Sequence, residues 1–93
     1  MRPLEAHNKR TNINMDITAE IMLDIVSQME GSTAMRVLEV GLYNQIASQA
    51  TLHKALKWLE SNNFISMKVD DGDNRVRKCS LMQRGTIYLK NFQ

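Results

Sequence analysis

Apolar residues return along this chain in two rhythms, first at helical spacing and then in alternation. From Thr18 onward, Ile21, Met22, Ile25, Val26 and Met29 recur at helical spacing, and Gly31 is a natural stop, so the pattern predicts a first amphipathic helix. Ser32 or Thr33 can cap a second helix whose inward residues would be Met35, Leu38 and Leu42. Gly41 in its middle lowers its helix propensity by about 1 kcal/mol relative to alanine. Ser48 is a good N-cap for a third helix running to about Asn62, with Leu52, Ala55, Leu56 and Leu59 at i, i+3, i+4 and i+7 as its buried stripe. The period then changes to two. Ile65, Met67 and Val69 alternate with Ser66 and Lys68, the cluster Asp70–Asn74 signals a turn, and Arg75–Leu81 returns as a second strand. Ile87, Tyr88 and Leu89 mark a short closing helix over Arg84–Phe92. Met1–Asp16, which holds the single proline, shows no apolar periodicity and reads as a flexible N-terminal arm ahead of one domain over 17–93.

A chain of 93 residues has material for one hydrophobic core, and its 43% hydrophobic and 24% charged residues are ordinary for a globular domain. No apolar run approaches the roughly 18 residues of a membrane span, and MRPLEAHNKR lacks the apolar region of a secretory signal, so a cytoplasmic protein is expected. One cysteine, Cys79, excludes an internal disulfide, and His7 and His53 form no recognisable metal-ligand spacing; no metal or cofactor is expected.

The net charge of +2 is too small to point to nucleic acid, but its distribution is uneven. Residues 1–47 carry four basic side chains against six acidic ones, a balance of −2, whereas residues 48–93 carry eight against four, a balance of +4. A basic half beside an acidic half is the footprint expected when one face meets phosphates, although a solvated surface with chance asymmetry gives the same count.

Three helices followed by a hairpin make an α+β, mostly α, winged helix-turn-helix, in which the third helix stands proud and the hairpin projects beside it. Opposite the buried stripe of that helix lie Ala50, His53, Lys54, Lys57 and Ser61, with Gln49 in the first turn. Long polar side chains near a helix N-terminus reach base edges, glutamine to adenine and lysine to guanine, and the helix end itself favours a phosphate. The plainer reading of the same face is a solvated helix surface.

The stretch from Ser48 to Gly85 resembles the DNA-reading part of the MarR family of winged-helix regulators. Ser48-Gln49-Ala50-Thr51, followed by Leu56, Leu59-Glu60 and Phe64-Ile65, is similar to the family's recognition helix and its exit. Asp73-Asn74-Arg75 matches the Asp-x-Arg wing motif, and Leu81-Met82-Gln83-Arg84-Gly85 falls where the family has Leu-Thr-x-x-Gly. The resemblance implies a transcriptional regulator that binds double-stranded DNA, with Ser48, Gln49, Ala50 and Thr51 at the groove, Arg75 as the wing arginine entering a minor groove, and Asp73 supporting the wing tip or that arginine. Plain turn chemistry is the other reading of Asp73. Arg77 and Lys78, next on the same strand, are further candidates for phosphate contact. Met82 departs from the family's capping threonine, so the closing helix is expected to start differently or fray. The chain also lacks the family's long dimerisation helices, so any self-association is expected to be weak and no small-molecule ligand is expected. A compact module of this kind is similar to those of prokaryotes and their viruses.

Two other classes compete. An enzyme would need Cys79 as nucleophile and His53 as base, but Cys79 falls at an inward strand position and no phosphate loop or paired acid and base accompanies it, so the chain is expected not to be an enzyme. A winged helix can also serve as a protein-interaction or adaptor module without DNA specificity. Against that stands the placement of the basic residues on the two elements DNA binding requires.

Overall fold

A computed structural model of the chain describes residues 15–91; the expected N-terminal arm lies outside the described residues except for Met15 and Asp16, as does Phe92. The described chain runs α1 (Ile17–Gln28), α2 (Ala34–Tyr43), α3 (Gln49–Ser61), β1 (Ile65–Asp70), β2 (Asp73–Leu81) and α4 (Gln83–Asn91). This is the helix, helix, helix, hairpin, helix order of a winged helix-turn-helix.

Each helix end has a local cause. Gly31 after α1 sits at φ +88°, a left-handed backbone that glycine adopts without strain. Thr33 caps α2 through its hydroxyl, which accepts from the Arg36 amide at 3.2 Å, and Ser48 caps α3 by accepting from the Thr51 amide at 3.3 Å. Beyond α3, Asn63 takes φ 65° while its amide donates to the Glu60 carbonyl and that of Phe64 donates to the Leu59 carbonyl at 2.9 Å, satisfying the last carbonyls of the helix. Met82 offers no capping oxygen, and α4 nonetheless begins at Gln83: the Met82 amide donates to the Phe64 carbonyl and its own carbonyl accepts from the Thr86 amide.

The core is made by Ala19, Met22, Leu23 and Val26 of α1, Val37 of α2, Leu52, Ala55, Leu56 and Leu59 of α3, and Phe64, Ile65 and Cys79 around the hairpin. The α3 stripe is as expected. That of α2 is not: Met35 is 70% exposed and Leu42 39% exposed, while Val37 and Gly41 face inward and Leu38 is half-buried. The reason is close packing. A Cβ on Gly41 would lie 2.9 Å from Leu52 Cδ1 and 3.2 Å from Met22 Sδ, so the residue that weakens α2 as an isolated helix is the one that lets it rest on α1 and α3.

The hairpin is antiparallel, pairing Ile65 with Leu81, Met67 with Cys79 and Val69 with Arg77, with an irregularity between Val69 and Asp70. The connection is tighter than the expected five-residue turn, because Asp73 and Asn74 already belong to β2 and only Asp71 and Gly72 intervene. The segment before α2 joins this sheet. The Gly31 amide donates to the Cys79 carbonyl at 2.7 Å and the Cys79 amide to the Ser32 carbonyl at 2.8 Å, with Thr33 bridged to Lys78. These bonds fix the N-terminus of α2, and through it α3, relative to the hairpin.

Candidate nucleic-acid interface

With four buried positions on one side of α3, the 3.6-residue period sends Ala50, Lys54, Lys57 and Ser61 directly outward. The flanks of this ridge differ. On one side His53 and Lys57 border a hollow of about 190 Å³ completed by Ala34, Leu56, Met67 and Arg77. A shallower groove continues it toward the N-terminus of α3, between Gln49 and His53 on one wall and Arg75, Val76 and Arg77 on the other, over Leu38 and Leu42 of α2. On the opposite flank Thr51, Lys54 and Trp58 border a hollow of about 380 Å³ with Ala19 of α1 and Asp16, the residue just before that helix.

The structure thus brings Gln49, His53, Lys57, Arg75 and Arg77 around one concave strip between helix and hairpin, with Ala50 and Lys54 on the adjoining ridge. All seven are exposed. Ser48 and Thr51 are exposed at the helix start, where the Ser48 hydroxyl lies 3.0 Å from Thr51 Oγ1 as well as capping the helix. Their hydroxyls order the N-terminus that presents Gln49 and Ala50.

Lys78 is not part of this strip. Successive residues of a strand point to opposite faces, and Cys79, buried beneath the helices, fixes the inward set as Cys79 and Arg77. Lys78 therefore projects from the far face of the hairpin, where its Nζ lies 3.1 Å from Asp70 Oδ1. That bond, with a second from the Gly72 amide, holds the Asp70 carboxyl below the ordinary aspartate range.

Asp73 does two things at the wing. Its Oδ1 accepts from the Arg75 amide at 2.9 Å, an Asx-type turn, and lies 3.4 Å from Arg75 Nε. Turn chemistry and arginine support, alternatives in the sequence, are both made by one oxygen. The Arg75 side chain remains 91% exposed, so the guanidinium is oriented without being withdrawn from solvent.

Three residues outside the expected site hold α3 in place. Arg84 donates from Nη1 to the Asn62 carbonyl at 2.6 Å and lies 4.6 Å from the centre of the Phe64 ring, so a cation meets the negative end of α3. Phe64 in turn stacks on Trp58 at 5.7 Å and meets Tyr88 edge-on at 5.8 Å. The only sequence signal for this anchor is the Arg84-Gly85 pair, which reads as a helix start. Cys79 is buried in the core, and desolvation, with a smaller contribution from Glu60, pushes its thiol from 9.0 up to about 11. Among the described residues no group of His, Cys, Asp and Glu fits a metal ion, and no helix is long and apolar enough to cross a membrane.

No protein-family model and no curated protein matches the chain. Solved structures with the same fold include FabT of Streptococcus pneumoniae in complex with DNA, with TM-score 0.70, 18% identity and 85% of this chain covered. MarR gives a TM-score of 0.71 at 16% identity over 96% of this chain, and the S. aureus MepR–DNA complex 0.70 at 18% over 96%. The similarity to MarR-type winged-helix regulators read from Ser48–Gly85 is thus matched at the level of the fold. The chain spans 52% of FabT, 66% of MarR and 68% of MepR.

Proposed function

We propose that this chain is a sequence-specific duplex-DNA-binding module of a transcriptional regulator, and not an enzyme. In this reading α3 enters the major groove, and the hairpin lies on the flanking backbone or in the adjacent minor groove. The observation that carries it is the convergence of Lys57 of α3 and Arg77 of β2 on one hollow, with Lys54 and Arg75 continuing the same basic surface on either side. A ridge about as wide as one helix, flanked by a cationic hairpin, matches a major groove of ≈ 12 Å beside its phosphates. Two of the similar structures are complexes with DNA, which supports the same partner here. A buried thiol held protonated argues against Cys79 as a nucleophile.

The roles follow from position. Gln49 and Lys54 are the base-edge contacts, Ser48 and Thr51 order the helix end, His53, Lys57 and Arg77 receive phosphates, and Arg75, steadied by Asp73, enters the narrow groove.

Selection from a random duplex pool followed by binding of Lys54→Ala tests it. The substitution should cost about 1 to 3 kcal/mol on the selected site and less on random duplex. A second reading, an adaptor module, is favoured by one observation, the exposure of Tyr43 (87%) and Met35 (70%) on α2. Failure to enrich any sequence, with no retention of random duplex even at low salt, would decide for the adaptor.

A further inference from the structure

The groove between α2 and the hairpin carries more apolar surface than a phosphate backbone can use. It follows α2 from its cap Thr33 to Leu42, with Met35, Leu38 and Leu42 along the floor and Val76 of β2 beside them. At 1.5 Å per helical residue that stretch is about 13 Å long, the reach of about four extended peptide residues. Met35 is 70% exposed there and Leu42 39%. The rim is cationic: Arg75 and Arg77 stand on the hairpin side, with Gln49 and His53 on α3. Glu39, the one acid among the described lining residues, lies 3.8 Å from Arg36 Nε. Asp73 meets Arg75 at Nε, which leaves its two Nη groups to receive a carboxylate in a fork.

We infer that this groove is a docking site for a short protein segment in which aspartate or glutamate stands beside large apolar side chains, and that such a segment and duplex DNA exclude each other. This rests on the DNA-binding reading, since Gln49, His53, Arg75 and Arg77 are residues that reading gives to DNA. Carboxylates complement Arg75 and Arg77 as phosphates do. Only a partner with apolar side chains covers Met35, Leu38 and Leu42, and the length of the groove favours a peptide over a single small carboxylate. Methionine, unbranched and polarizable, adapts to apolar partners of different shape. The segment thus competes for the same cations and gains from a floor that phosphates leave uncovered.

The test selects peptides from a random displayed library on the full chain, then measures the winning synthetic peptide by fluorescence anisotropy against the parent, Met35→Ser and Arg75→Gln, with and without the selected duplex. Winning peptides should carry Asp or Glu beside Leu, Ile, Phe or Trp, and unlabelled duplex should displace them completely. Met35 is outside the residues assigned to DNA and largely exposed, so Met35→Ser should melt like the parent. It should weaken the peptide about tenfold and leave duplex affinity within about twofold, whereas Arg75→Gln should weaken both. Winning peptides without acids, peptides that bind alongside duplex, or equal peptide affinity for Met35→Ser and the parent overturn this inference alone. A library that yields no binder to a parent that binds duplex does the same. A parent that binds no duplex removes the DNA-binding reading itself, and the exclusion with it.

Discussion

Arg77 and Lys78 are neighbours of equal charge on one strand, and replacing each in turn with glutamine tests which face of the hairpin meets DNA. Arg77 lines the hollow with His53 and Lys57, whereas Lys78 projects from the opposite face toward Asp70. Of the described basic side chains of α3 and the hairpin, Lys68 and Lys78 lie together with Asp70 on the far face, and the other four, Lys54, Lys57, Arg75 and Arg77, account for a slope of about −3.6 at about 0.9 per phosphate neutralised. Arg77→Gln should therefore reduce the steepness by about 0.9, which is a 3.5-fold change in relative affinity between about 50 and 200 mM salt. Lys78→Gln removes the same charge from the sequence, yet should leave the slope within error of the parent, because its charge is on the far face and already countered. Fluorescence anisotropy with a labelled duplex at four or five salt concentrations resolves the difference. Thermal melts should show little change for either variant, since both side chains are exposed. Equal losses of slope would refute the reasoning, as they would mean that the hairpin meets DNA edge-on; loss for Lys78→Gln alone would mean that its outer face does.

Two further outcomes follow from the packing. A Cβ at Gly85 would run into the Phe64 carbonyl oxygen, which the Met82 amide already engages, so Gly85→Ala should destabilise the fold by about 1 to 3 kcal/mol despite its better helix propensity. A melting temperature lowered by about 4 to 8 °C per kcal/mol is expected, and an unchanged or raised one would show that α4 shifts freely. Cys79, its thiol raised from 9.0 to about 11, should react slowly with iodoacetamide at pH 8 and at the free-thiol rate once unfolded. The neutral thiol's contribution to stability is complete below pH 9 and is lost as pH rises toward 11, because the unfolded thiol ionises first. Fast native alkylation would place Cys79 at the surface.

The distinction between Arg77 and Lys78 was available from strand alternation once Cys79 was read as inward, but charge alone groups the two together. The inward placing of Val37 and Gly41 has no such local signal. Met35, Leu38 and Leu42 make an acceptable helical stripe, and nothing local says that a glycine marks the buried side; only the approach of Leu52 and Met22 does. Turn-forming residue types at Asp73 and Asn74 suggest a longer wing turn, whereas in the structure Asp73 makes its turn contact to the Arg75 amide while paired with Asp70 in the hairpin.

Period and bonds within a few residues suffice for every element type in order, the Ser48 cap, a cap for α2 at Ser32 or Thr33, and the buried stripe of α3. Which cations share a face, which side of α2 is buried, and how α3 is held by Arg84 and Phe64 emerge only when the segments pack together. Those depend on contacts between segments far apart in the chain. The bridge from Gly31 and Ser32 to Cys79 spans nearly fifty residues and sets the angle between helix and wing, and no local pattern encodes it.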